Sequence, residues 1–338
     1  MKKIRKILTL TLSVMIALSL AACASNKDTI KKETKITLTD QAGRKVSLDK
    51  PATKIVSSYY ITTYACLSLE LGDQIVGLEQ KADTRSIYKM AKPELLQLPQ
   101  VGSMKGLNLE AIAKLEPDLV LLPMKLKDNI DALTDLGISV LVVNPESHEE
   151  LVEMLELIGK ATGKQNQSKE LTDYYEKQIN IIKEYSTAKQ TVYIGSNSSY
   201  LETAPTGMYQ SKLIETAGGV NAAKDIEGDY WTAVSYETLL QLNPEVIIVP
   251  SGATYSVQDI LNDTQLTSLT AIKNKTVYQM PKGIEEWDSP IPSGILGTMW
   301  LTSILHENDY PFDNFVKDVS SFYKTFYKFD IDQSLIIK

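Results

Sequence analysis

The chain has 338 residues, 43% of them apolar, with 35 Lys and Arg against 42 Asp and Glu for a net charge of −7. So acidic a chain, with no basic stripe, argues against nucleic acid as a partner, because phosphate neutralisation needs clustered Lys and Arg. Only two cysteines are present, one of them at the N-terminus, so a hydrophobic core rather than a disulfide must hold the fold; the length suffices for two domains.

Residues 1–22 begin with Lys2, Lys3, Arg5 and Lys6, continue as an apolar run from Ile7 to Leu20 and end in small residues before Cys23. That is the order of a secretory signal, and the run is shorter than the roughly 20 residues a bilayer span needs. A Cys at that point resembles the bacterial lipobox, so Cys23 is expected to be lipidated and to become the mature N-terminus, holding the protein at the extracytoplasmic face of the cell membrane. Residues 23–35 are small, polar and charged and read as a flexible tether.

The first strand is expected at Lys54 to Ser58, followed by a Tyr-rich turn and a helix over Thr63 to Leu71 that Gly72 stops. Residues 107–123 then read LNLEAIAKLEPDLVLLP, and residues 234–250 read VSYETLLQLNPEVIIVP. Aligned without a gap, Glu110 meets Glu237, Leu115 meets Leu242, Pro117 meets Pro244 and Pro123 meets Pro250. Each copy has a capping residue (Asn108, Ser235), a carboxylate in the first turn, a short amphipathic helix ended by Pro, and an apolar strand without polar alternation. Such strands are buried on both faces, as in a parallel sheet flanked by helices. Ahead of the second copy come a strand at Thr191 to Gly195 and a helix from Tyr209 to Ala217; strands at Val140 to Val143 and Thr276 to Met280 follow the two copies. Between the repeats, Ser168 to Tyr185 runs without Gly or Pro as one helix. The fold expected is therefore α/β: two Rossmann-like lobes with central parallel sheets, residues 36–165 and 189–338, joined by one long helix over 166–188, with a ligand cleft between the lobes.

The chain resembles the helical-spine solute-binding proteins of ABC importers for iron siderophores, haem and cobalamin. The resemblance rests on Thr39-Asp40-Gln41-Ala42-Gly43-Arg44, Leu71-Gly72-Asp73-Gln74-Ile75-Val76-Gly77, Asn108-Leu109-Glu110, Pro117-Asp118-Leu119-Val120 and Ala217-Gly218-Gly219-Val220-Asn221, in that order and spacing. Glu286-Trp287-Asp288-Ser289-Pro290 is similar to a branch whose cargoes include iron complexes and also oxyanions such as molybdate. The resemblance implies a monomer with no intrinsic cofactor that catches a small metal complex as cargo and hands it to a permease and its ATPase. The cargo is expected to be an iron complex, siderophore or haem, with cobalamin or molybdate and tungstate as alternatives. It also implies that acidic rim residues dock the permease, here Asp128 with Asp131 and Asp259 with Asp263. A lipid-anchored hydrolase or sensory lipoprotein is the alternative of another class. No Gly-x-Ser-x-Gly elbow, Walker A loop or His-Glu-x-x-His is present, so no enzyme is expected.

In open α/β sheets ligands bind beyond the carboxyl ends of the strands. Seventeen Tyr against five Phe is a high ratio for a core, and Tyr suits a half-wet cleft. Tyr59, Tyr60, Tyr209, Trp231 and Trp287 are the aromatic ligand-contact candidates, and Arg85 and Lys105 the cationic ones. With three Arg in all, a highly anionic catecholate is disfavoured against haem, a corrinoid, a hydroxamate complex or an oxyanion held by backbone N–H groups. His148 and His306 read as cap or surface residues rather than metal ligands.

Overall fold

Two four-stranded parallel sheets share one strand order. In the first, β1 (Ile55–Ser57), β2 (Ile75–Leu78), β3 (Leu119–Pro123) and β4 (Ser139–Val143) lie as β2-β1-β3-β4. In the second, β5 (Thr191–Ile194), β6 (Val220–Asn221), β7 (Val246–Val249) and β8 (Val277–Gln279) lie as β6-β5-β7-β8. The computed structural model describes residues 35–185, 189–228 and 230–338. The signal segment, Cys23 and nearly all of the tether lie outside the described residues.

Helix α1 (Tyr60–Ser68) follows β1, and α2 (Leu109–Leu115) precedes β3. Next come α3 (His148–Thr162), the 21-residue α4 (Gln165–Tyr185), α5 (Tyr209–Thr216) and α6 (Tyr236–Leu242). Last are α7 (Gly294–Leu305), α8 (Phe312–Phe322) and a π-helical turn over Tyr323–Tyr327. The repeat read from the sequence is physical. Asn108 accepts from Ala111 N at the head of α2 and Ser235 from Thr238 N at the head of α6, and both helices end on a left-handed residue, Glu116 or Asn243. Helix α1 begins three residues earlier than the sequence indicates, because the Tyr-rich turn is itself the first turn of the helix.

The apolar strands bury both faces, as their lack of alternation requires. Leu119 and Leu121 join a core that spans the lobes and α4, whereas Val120 and Leu122 face a second cluster that includes Ile112 of α2. In the other lobe Val246 and Ile248 join the shared core, and Ile247 and Val249 pack with Leu239 of α6.

Helix α4 spans about 30 Å at 1.5 Å per residue. Its Tyr175 hydroxyl reaches the carbonyls of Ile291 and Pro292, each at 2.9 Å, and accepts from Ile295 N at 3.2 Å, so the connector caps a helix of the second lobe. A second crossing was not evident in the sequence. The C-terminal segment returns to the first lobe, where the π-helical turn packs on α1 and Lys328 pairs with Glu70 at 2.9 Å. Tyr174 of α4 packs on Phe322 and Phe326 of that segment, each ring pair at 5.5 Å. Trp300 of α7 ties the chain end back by donating to Ile337 O at 2.9 Å. Among the described residues no helix is long and apolar enough to cross a membrane.

Candidate functional site

The carboxyl ends of both sheets open onto a cavity of about 480 Å3 between the lobes. From the first lobe it is lined by Tyr59 and Tyr60 after β1 and by Asn144 and Glu146 after β4. From the second come Asn197 after β5, Met208, Tyr209 and Gln210 at the head of α5, Tyr230 and Trp231, and the loop residues Asp288 to Pro290. An adjoining pocket of about 380 Å3 shares Tyr59 and Tyr60 and adds Lys81, Arg85 and Lys105 from the first lobe. A larger groove of about 790 Å3 is lined only by residues of α3 and α4, several of them charged, away from the convergence of loops that marks a binding site.

Both lobes present a helix N-terminus to the cavity. Tyr59 precedes α1 and Met208 precedes α5; both are extended, and neither helix is capped by a side chain. First-turn N–H groups that no side chain caps, with the dipole behind them, form a site for negative charge. A buried polar network fixes the head of α1. The Thr63 hydroxyl lies 2.7 Å from Ser57 Oγ and 2.8 Å from Glu79 Oε2, and Tyr88 donates to Glu79 Oε1 at 2.6 Å. Desolvation raises the Glu79 carboxyl above its ordinary range despite these donors.

Tyr59, Tyr60, Tyr64 and Tyr88 form an edge-to-face chain with centroid spacings of 5.0, 5.6 and 5.6 Å. Burial pushes the Tyr60 phenol up to about 12 and raises Tyr59 as well, so both serve as neutral hydrogen-bond donors rather than phenolates. Arg85 sits 4.2 Å over the Tyr60 ring and pairs with Glu286 of the other lobe at 2.8 Å, while Tyr64 donates to Glu286 at 3.1 Å. Arg85, expected as a ligand contact, is thus engaged in a bridge between lobes as well as lining the side pocket. Lys105 is exposed on the rim of that pocket.

Of the expected aromatic residues, Tyr59, Tyr60 and Trp231 line the cavity half-buried, and exposed Tyr230 stands beside Trp231. Tyr209 lines it too, but its hydroxyl is turned inward against Gly294, where a Cβ would not fit, and has no hydrogen-bond partner. Trp287 requires correction. It is fully buried, donates from Nε1 to Tyr323 Oη at 2.9 Å and packs edge-on against Phe315, so its ring belongs to the core. The C-terminal segment, not a ligand, satisfies its indole. Its neighbour Glu285 accepts from Tyr323 at 2.7 Å and Tyr327 at 3.1 Å, and burial pushes its carboxyl up to about 7. Asp288, one residue past Trp287, does line the cavity; burial pushes it up to about 6, with Glu286 adding to the rise.

The histidines are also corrected, since both are buried rather than at the surface. Ser147 caps α3 while His148 packs edge-on against Tyr175 and Tyr209, and desolvation depresses its imidazole to about 4, leaving it neutral. His306 Nε2 lies 3.2 Å from Ala217 O. No group of three or more His, Cys, Asp or Glu among the described residues converges as a metal cage. Asp128 and Asp131 are exposed; Asp259 is exposed too, but its carboxylate closes a capping box with Ser256, and Asp263 accepts from Tyr200 and Tyr236.

The residues overlooked in the sequence are Asn144, Glu146 and Gln210. The rule that picked out Tyr59 applies equally to the loop after β4, so Asn144 and Glu146 were within its reach. Gln210 Nε2 donates to Asp288 O at 2.8 Å, while its Oε1 is buried without a partner.

Two parallel-sheet lobes, a long connecting helix and a polar cavity at the facing strand ends define a two-lobed solute-binding protein. The chain belongs to the periplasmic binding protein family, whose profile matches residues 55–283. It is 28% identical over 320 residues to the molybdate-binding protein MolA of Haemophilus influenzae, covering 86% of this chain and 90% of that protein. The solved structure of that protein bound to molybdate superposes with a TM-score of 0.77 at 25% identity, covering 88% of this chain and 99% of the other. An uncharacterized ABC transporter substrate-binding lipoprotein of Bacillus subtilis, YvrC, is 28% identical over 287 residues, 79% of this chain and 87% of that one.

Proposed function

We propose that the protein is the cargo-catching component of an ABC importer and that its cargo is a tetrahedral oxyanion of the molybdate class. The observation that carries this reading is the pair of helix N-termini, at Tyr60 and Tyr209, brought by the two lobes to one cavity without side-chain caps. A compact oxyanion can accept from N–H groups of both lobes at once, which couples capture to closure. Neutral Tyr59 and Tyr60 add donors. A volume of about 480 Å3 lies at the small end of ligand sites and suits an oxyanion better than a corrinoid. Similarity to a molybdate-binding protein over most of both chains supports the same reading.

A second reading, an iron complex, is supported by the adjoining pocket. Lys81, Arg85 and Lys105 there would face the acidic arm of a chelate whose body lies against Tyr59 and Tyr60. In either case Cys23 would carry the lipid anchor at the extracytoplasmic face, and Asp128 and Asp259 would offer carboxylates to the permease, whose ATPase drives release.

Titration of the purified protein with molybdate, tungstate, sulfate, a ferric hydroxamate, haem and cobalamin tests this, read by melting temperature and by quenching of Tyr and Trp emission. Molybdate at a hundredfold excess over Kd is expected to stabilise the protein by about 2.7 kcal/mol. A response to the iron complexes alone selects the second reading, and silence across the panel removes both.

A further inference from the structure

We propose that Asp288 is a specificity-determining residue of the cleft, and that the site takes its anion together with one proton, which Asp288 receives. The inference rests on the oxyanion reading above and deepens it.

Asp288 is 4% exposed and lines the same cavity as the two helix N-termini. Among the described residues, no Lys, Arg or His lines that cavity. Arg85 lies over Tyr60 and is already paired with Glu286 at 2.8 Å. The groups that face Asp288 are acids, phenols and a hydroxyl. Glu286 on its own loop repels its charge, and the hydroxyl of Ser251 after β7 is buried nearby without a hydrogen-bond partner. Tyr60 of α1, Tyr209 of α5 and Tyr255 all feel its field. Glu146, on the opposite lobe, lines the cavity from an exposed position, its carboxyl raised by desolvation and by Glu150.

An anion drawn in by the helix N-termini therefore meets a buried carboxylate with no cation among the described lining residues to offset it. Two negative charges in a desolvated space are incompatible, and the group that can yield is the carboxyl already held up to about 6 by burial. Asp288 takes one proton from solvent, its carboxylate becomes a carboxylic acid, and the new O–H can donate to an oxygen of the anion. Above about pH 6 the free protein holds Asp288 ionised while the complex holds it protonated, so the complex binds one more proton and affinity falls as pH rises. Below that pH both states are protonated and affinity levels off.

The test is calorimetric titration of the purified protein with sodium molybdate, which stays a dianion across the range, from about pH 6.5 to about pH 8, in buffers of different ionisation heat. The Kd is expected to weaken by about tenfold per pH unit, with about one proton taken up per anion. Asp288→Asn should flatten the profile and bind molybdate at least about tenfold more tightly than the wild type at the upper end. Should that variant misfold, the wild-type profile and proton count decide alone. Molybdate bound with a flat profile and no proton uptake overturns this inference and leaves oxyanion capture standing. Molybdate and tungstate both unbound at every pH overturns that reading and this inference with it.

Discussion

At the foot of the first sheet Asp118 accepts from Thr53 N, Thr53 Oγ1 and Lys54 N at 2.9, 2.9 and 3.0 Å; at the foot of the second, Glu245 accepts from Thr191 N and Oγ1 at 2.8 and 3.1 Å. The same carboxylate staple thus ties each copy of the repeat to the strand beside it. At the opposite, carboxyl ends the lobes part company. In the first, β1 runs within two residues into the head of α1 over a buried network; in the second, β5 is followed by a loop of more than a dozen residues before α5. Each lobe also buries a glutamate among hydroxyls, but Glu79 lies beneath the N-terminus of α1, whereas Glu285 is held by the C-terminal segment. The duplicated ends carry the scaffold, and the diverged ends line the cavity, because loops at the strand termini can change without disturbing the sheet.

The sharpest way to break this contrast is at the loop that holds Asp288. Gly297 of α7 lies so close to the Trp287 carbonyl that a Cβ would collide with backbone, so Gly297→Ala should cost about 3 kcal/mol in chemical denaturation and weaken cargo binding as the loop shifts. A smaller substitution effect there would mean that the loop is free to move.

Next is the pH dependence of stability. Glu285 and Asp288 are held at about 7 and about 6 in the fold, above the usual carboxylate range near 4 that they regain on unfolding. Between those values the folded chain binds more protons than the unfolded one, so their contribution is full below about pH 4 and is lost as pH rises through about 7. Thermal denaturation should show a decline on the order of 3 kcal/mol for Glu285, and Glu285→Gln should remove most of it.

The staples give a smaller effect. Asp118→Ala removes three hydrogen bonds and should cost about 2 kcal/mol, and Glu245→Ala removes two and should cost about 1 kcal/mol. Equal losses in urea titrations would place the two repeats on the same footing. The smallest effect is expected from Glu286→Gln, which loosens the half-exposed Arg85 pair between lobes by no more than about 1 kcal/mol.

The repeat was legible because its signals are local: Asn108 and Ser235 at the caps, Pro117 and Pro244 after the helices, and strands with no polar alternation. Position beyond a strand end was enough to place Tyr59, Tyr60 and Trp231 on the wall of the cavity. What escaped depends on partners far away in the chain. Trp287 sits between acidic residues and reads as a loop aromatic until Tyr323 and Phe315 close over it. His148 sits at the start of an amphipathic helix, and Tyr175 and Tyr209, 27 and 61 positions later, make it a buried ring. Nothing local to Lys328 signals that it reaches Glu70.

That last contact limits how the halves can move. Two bodies strung on a lone rod can twist about its axis as freely as they bend across it. Here the rod, α4, is braced through Tyr174 to a second member that is fastened to one body by Lys328 and to the other by Trp300. Paired members resist torsion, which leaves flexing across the rod as the easier movement.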